Sequence, residues 1–272
     1  MTLRTLAAIM ICAGAISLAA IEPQELITKH QALSAKELAQ QNHEKEMEKL
    51  ALTEQDYIEV AKELGVEVAA IKAVVEVEAG RAHEGFFAPG KPLINFDLTM
   101  FRQFARRNGV ALSKYTGSHS AVFRRPNARR HGSQQAAQQH RLEQAKTIDE
   151  KTAIQGTFWG MFQLGGFNWK LCGTSSPKEF VELMSRSERD QLDLFARFIT
   201  NTGLVKYLRA KNWARFAKGY NGPSYAARGY HTKMAKAYAR HRVRTSTTTP
   251  KEENAQEQEE KSDRKSHEHT EE

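Results

Sequence analysis

One acid sits where its neighbours are apolar. Across residues 66 to 80, Val68, Ile71, Val74 and Val75 gather on one side of a helix turning about 100° per residue, and Glu78 falls in the middle of that arc. Glu76 points nearly the opposite way. A carboxylate at the end of an apolar stripe is costly to ionise, so its pKa should rise and leave it protonated near neutral pH. A general acid needs that property. The plainer alternative is that the helix ends at Glu78, just before Gly80, and the acid turns into solvent.

Two further stretches carry polar side chains in apolar company. Thr157 to Leu164 is apolar and aromatic but for one glycine and Gln163, and Ala217 to Pro223 is a helix that breaks at Tyr220 and Asn221. Taken singly, a glutamine among aromatics is a satisfied core amide and Asn-Gly-Pro is a turn. Other chemistries find no support. His83-Glu84 lacks the second histidine of a zinc helix, and no serine or cysteine has the setting of a peptidase nucleophile. Cys172 has only Gly173 and Thr174 beside it, neither of them a base, and reads as a small buried residue. His267 and His269 are too few for a metal site, so neither metal nor cofactor is expected.

The elements that must position these groups follow from caps and periodicity. Thr53 caps a helix whose third residue is Asp56, with Tyr57, Val60, Ala61 and Leu64 on its apolar face and Gly65 at its end. The Glu78 helix comes next. Arg81 to Pro92 is rich in Gly and Pro and reads as a loop. Leu93 to Asp97 is a short strand, and Met100, Phe101 and Phe104 mark a helix stopped by Asn108 and Gly109. Residues 113 to 140, rich in Arg, Gln, Ser and His, read as a solvated, mobile loop. Helices then follow one another. Leu142, Ala145 and Ile148 mark the first. Ser176 to Glu179 is a capping box with Pro177 at the first helical position, and Ser185 with Glu188 repeats the box before Leu192, Phe195 and Ile199. Leu204, Tyr207 and Leu208 mark another, and two more cover residues 213–220 and 230–242. Strand alternation is nearly absent, which predicts a mainly α fold with at most a small β element.

Charge and the termini set the surroundings. The chain has 272 residues, 40% of them apolar, enough for one globular domain with flanks. Its 40 Lys and Arg against 32 Asp and Glu give +8; the stretch after Pro250 has nine acidic and four basic residues, and its net −5 leaves about +13 for residues 1–250. Such a charge suits an anionic polymer or surface, whether nucleic acid, anionic lipid or the carboxylate- and phosphate-bearing bacterial wall, and plain solubility is the alternative. Arg4 precedes an uncharged run from Thr5 to Ile21 that ends in Ser17-Leu18-Ala19-Ala20. Residues 1–21 therefore read as a secretory signal peptide, or an N-terminal anchor if uncleaved. The protein is expected to be exported, periplasmic or extracellular. With the signal removed no stable membrane association is expected, and Cys172 is left without a disulfide partner. Residues 22–52 form a polar helical spacer whose leucine spacing breaks any heptad. The domain proper covers residues 53–243, and residues 244–272 are a disordered, charged tail.

The three marked stretches also form a pattern. Glu78-Ala79-Gly80-Arg81, then Gly160-Met161-Phe162-Gln163, then Gly219-Tyr220-Asn221-Gly222 resemble the motifs of the lysozyme-like superfamily, which includes goose-type lysozymes and lytic transglycosylases. With Phe158-Trp159, Phe167-Asn168, Cys172-Gly173, Glu179-Phe180-Val181 and Trp213 to Ala217, the chain from about residue 53 to 240 is similar to the N-acetylmuramidase family of phage and bacterial wall-degrading enzymes. The resemblance implies a lysozyme-like helical domain that cuts the β-1,4 bond between N-acetylmuramic acid and N-acetylglucosamine. The family's catalytic glutamate falls on Glu78. Phe96-Asp97 departs from the Phe-Glu usual at the end of that strand. The 113–140 stretch departs from the usual aromatic, Gly-rich segment, and a basic glycan-contacting flap is the sharper reading of it. No added wall-binding module is found, so the basic surface itself is a candidate for wall attachment.

On this reading Glu78 protonates the leaving oxygen and Asp97 activates the attacking water. Gln163, Tyr220 and Asn221 line the cleft, and Trp159, Met161 and Phe162 supply apolar and stacking surface. The expected partners are peptidoglycan glycan strands, with no nucleic acid, and the protein is expected to act as a monomer. A lytic transglycosylase needs only the one acid and gives 1,6-anhydro products. A non-catalytic wall-binding protein is the remaining alternative.

Overall fold

A computed structural model describes residues 23–79 and 84–243, with side chains from residue 35 onward. The predicted signal segment and the charged tail lie outside the described residues. The chain divides into two units, Met1–Glu44 and Lys45–Glu272. Helix α1, Pro23–Leu50, begins in the first of them. Its described side chains up to residue 46 are all exposed. Among the described residues no helix is long and apolar enough to cross a membrane.

In the second unit α2 is Glu54–Leu64, started by the predicted reciprocal box between Thr53 and Asp56. Gly65, at φ 62°, ends it in the left-handed region that glycine enters freely. Helix α3, Val68–Glu78, is apolar on most of its sides and is buried accordingly, with Ile71 and Val74 at 0% exposure. Each such side chain contributes about 1.5–3 kcal/mol by leaving water. A two-stranded hairpin follows, β1 (Phe86–Ala88) with β2 (Lys91–Pro92). Strand β3, Ile94–Phe96, then pairs antiparallel with β4, Thr157–Trp159, which pairs with β5, Leu164–Gly165. Ile94 lies opposite Trp159 and Phe158 opposite Gly165.

Helix α4 is Leu98–Arg107. Beyond it the structure corrects the reading of residues 113–140 as a mobile loop. Short helices α5 (Ser120–Phe123) and α6 (Ala128–His131) lead into α7, Gln134–Lys146, capped by Ser133. The apolar count misled because α7 buries amides and a guanidinium as well as aliphatics: Ala137, Gln138, Arg141, Leu142 and Ala145 face inward. Gln135 bonds both N and O of Ile94, Gln139 donates to Pro92 O, and Arg141 donates to Val122 O and Phe96 O. These bonds sew α7 along β2 and β3.

The remaining helices are α8 (Glu150–Gln155), α9 (Pro177–Met184), α10 (Glu188–Asn201), α11 (Val205–Arg209) and α12 (Trp213–Asn221), with α13 over residues 230–243. Ser176 caps α9 as predicted, with Pro177 at its start. The cap of α10 is Ser187, accepting from Asp190 N, and not Ser185. That shift of two residues frees Glu188 for a buried role described below. The core lies among α3, α9, α10 and the β-sheet, with Phe101, Phe180, Phe195 and Phe216 at its largest fully buried positions.

Candidate active site

Helix α3 is fixed from both sides by ions it presents to distant parts of the chain. Glu76 pairs with Arg240 and with His241 on α13, and these partners hold its carboxyl below the usual range against the opposing effect of its partial burial. Glu67, just before the helix, accepts from Lys211 and Tyr238. With α3 so held, Glu78 is turned inward. Burial pushes its pKa up to about 7, and one hydrogen bond, from Asn221 Nδ2 to Glu78 Oε1 at 3.0 Å, acts the other way. Two carboxylates two residues apart thus differ in kind. Glu76 is an ion-paired anion, and Glu78 is a buried carboxyl that keeps part of its protonation at neutral pH.

Glu78 opens into a cleft of about 370 Å³, within the ~300–1,000 Å³ usual for small-ligand sites. One wall is built by the turn between β4 and β5, where Gly160, Met161 and Gln163 line the space. Gly160 has φ 68°, and a Cβ there would come 2.5 Å from Gln191 Oε1, so only glycine fits. Gln163 has φ 47°, a left-handed conformation that costs a non-glycine residue about 1–3 kcal/mol and that is concentrated at functional sites. Its Nε2 donates to Gly160 O at 2.8 Å, bracing the turn. The other wall is made of amides: Asn95 on β3, and Gln134, Gln135 and Gln138 on α7. Gln138 is 8% exposed and donates to Asn95 Oδ1, while its own Oε1 has no hydrogen-bond partner. Sugars present hydroxyl and acetamido groups, and this lining can both donate to and accept from them.

The predicted site residues separate into two groups. Glu78, Asn221, Gln163 and Met161 come together at the cleft. Trp159 and Phe162, at 2% and 1% exposure, do not offer a stacking surface. Trp159 donates its indole N–H to Ile154 O, and Phe162 stacks on Phe195 at 4.4 Å. Tyr220 is also a packing residue. It lies parallel to Phe216 and edge-on to Phe195 and Phe198, and its hydroxyl donates to Phe162 O at 2.6 Å. Tyr220 therefore supports the turn that carries Met161 and Gln163. Asp97 is the N-cap of α4, accepting from Met100 N at 2.9 Å, and is not among the residues lining the cleft. The other carboxylate that lines it is Glu84.

Glu84 precedes Gly85, whose backbone is held by a buried network from α10. Glu188, 7% exposed, accepts from Gly85 N at 2.6 Å and from Leu52 N at 3.0 Å. Gln191, fully buried, donates to Gly85 O and Met184 O and accepts from Met161 N. Two residues of α10 thus tie the backbone at Gly85, next to Glu84, to that at Met161. Gln191, one polar position on an amphipathic helix, carried no signal in the sequence, and Glu188 read only as half of a capping box. Cys172 is buried, and burial pushes its thiol up to about 12, so it is not a nucleophile. Among the described residues no cluster of His, Cys, Asp and Glu could hold a metal ion.

The mainly helical domain with its small antiparallel sheets has a lysozyme-like fold, and its similarities make it a glycoside hydrolase. The N-acetylmuramidase family model matches residues 67–242, and the chain belongs to that family. It is similar to the crystal structure of Burkholderia AP3 phage endolysin at 36% sequence identity and a TM-score of 0.60, over 72% of this chain and 72% of that one. A search of curated proteins returned no match.

Proposed function

We propose that this protein hydrolyses peptidoglycan at the β-1,4 bond between N-acetylmuramic acid and N-acetylglucosamine, with Glu78 as the general acid. The observation that carries the reading is the setting of Glu78, which burial brings to a pKa of about 7 at the base of a cleft lined with amides. At that pKa it both holds a proton at neutral pH and releases it readily to the leaving glycosidic oxygen. Asn221 orients the carboxyl and stabilises the anion that the transfer leaves behind. Water then attacks the muramoyl carbon. We assign that water's proton to Glu84, the other carboxylate lining the cleft, because Asp97 caps α4 and does not line it. Such an enzyme acts outside the cytoplasmic membrane, in keeping with the apolar N-terminal run as an export signal or anchor.

The test is mass spectrometry of soluble products after the full-length protein, or its Glu78→Gln variant, is incubated with purified peptidoglycan. Reducing N-acetylmuramic acid ends that disappear in the variant are expected. 1,6-Anhydro ends would make the protein a lytic transglycosylase, and a variant as active as the wild type would remove Glu78 from the chemistry.

A further inference from the structure

From residue 98 to 142 the chain contains nine Arg and Lys residues and no Asp or Glu. One of the nine, Arg141, is buried and structural. Its guanidinium lies 4.9 Å over the Phe96 ring and donates to Val122 O and Phe96 O, fixing α5 against β3. The other eight are exposed. None of these eight has an ion-pair partner among the described residues, whereas Lys72, Arg186, Arg189, Lys211 and Arg240 elsewhere each have a carboxylate. Clustered cations without partners point to an anion that binds from outside.

Arg129 and Arg130 are joined by a short stretch of chain to a residue that lines the cleft. They lie on α6, and Gln134, the first residue of α7, lines the site. Four peptide units of about 3.8 Å keep the Cα atoms of Arg130 and Gln134 within about 15 Å. The two helices are further held together by the stacking of His131 on His140 at 4.4 Å. Burial, and then the charges of His140 and Arg130, push His131 below its usual range. Arg124 and Arg125, between α5 and α6, extend the same basic segment.

A glycan strand lying in the cleft is uncharged along its sugars. Its carboxylates hang from the lactyl ether of each muramoyl residue, as the peptide stems. We infer, resting on the muramidase reading above, that Arg129 and Arg130 form a carboxylate-binding rim beside the cleft that holds the peptide stems of the strand being cut. The guanidinium fork matches a carboxylate bidentately. The rim is open to water, so each contact is modest and screened by salt.

The experiment compares cleavage of glycan strands bearing their stems with the same strands after amidase treatment, which leaves only the lactyl carboxylate on each muramoyl residue. Full-length wild type is expected to show a kcat/KM about tenfold higher on stem-bearing strands at low ionic strength, the difference falling toward unity in high salt. The Arg129→Gln/Arg130→Gln variant should lose that preference while cutting stripped strands at the wild-type rate. Lys62→Gln/Lys151→Gln, which removes the same charge from α2 and α8, should keep it. Equal cleavage of both substrates by wild type overturns the rim. So does equal loss on both substrates in the Arg variant, or loss of the preference in the Lys variant. No cleavage of either substrate by wild type overturns the muramidase reading itself, and the rim with it.

Discussion

Replacing Asn221 by Leu keeps the side chain's bulk and removes the hydrogen bond that Asn221 Nδ2 gives to Glu78 Oε1. Burial raises the Glu78 pKa to about 7 and this bond lowers it, so its loss must raise the pKa further. A hydrogen bond to a charged group contributes about 1.5–3 kcal/mol, and 1.36 kcal/mol is one pKa unit, which gives a rise of about 1–2 units. The general acid works in its protonated form. Activity is therefore retained below the folded-state pKa and lost as pH rises through it. Wild-type kcat/KM on soluble glycan strands should fall on the alkaline side near pH 7, and by pH 8.5 only about 3% of Glu78 would remain protonated. In Asn221→Leu the same limb should lie near pH 8–9, so the variant should lose about twofold between pH 6 and 8.5 where the wild type loses about thirtyfold. A lower peak rate is also expected, because the anion left by proton transfer has lost its donor. An alkaline limb that stays near pH 7, or moves down, would refute the account of how this site sets its acid.

Two further substitutions separate chemistry from scaffolding. Asp97→Asn should leave activity unchanged, because asparagine caps a helix as well as aspartate does, whereas Asp97→Ala should cost about 1 kcal/mol in urea unfolding. A large fall in kcat for Asp97→Asn would restore this residue as the catalytic base. Tyr220→Phe removes only the hydroxyl bonded to Phe162 O; a stability loss of about 1–2 kcal/mol is expected in thermal melts, with KM for glycan close to wild type. A rise in KM without loss of stability would instead make Tyr220 a substrate contact.

Much of the frame was legible because it is local. The period of α3 turns Glu78 toward the apolar side and Glu76 away from it, and both the burial of one and the ion pairs of the other follow that geometry. Thr53, Gly65, Ser176 and Pro177 mark helix ends through bonds to residues a few positions away, so their types and spacing sufficed. Gly160 and Gln163 stood out in an otherwise aromatic run, and both proved to lie in the β4–β5 turn at positive φ.

What tertiary structure decided are the relations between residues far apart in the chain. Asn221 reaches Glu78 across 143 positions and Glu188 reaches Gly85 across 103, distances over which no periodicity operates. Aromatic type could not tell Trp159 and Phe162, closed in the core, from side chains that face a ligand. The α7 amides resembled a polar loop because their partners are backbone groups of β2 and β3, which any sequence would supply. A residue's intrinsic chemistry and its place on a helix face are written locally. Whether it meets water, a partner or a substrate depends on what the rest of the fold packs beside it.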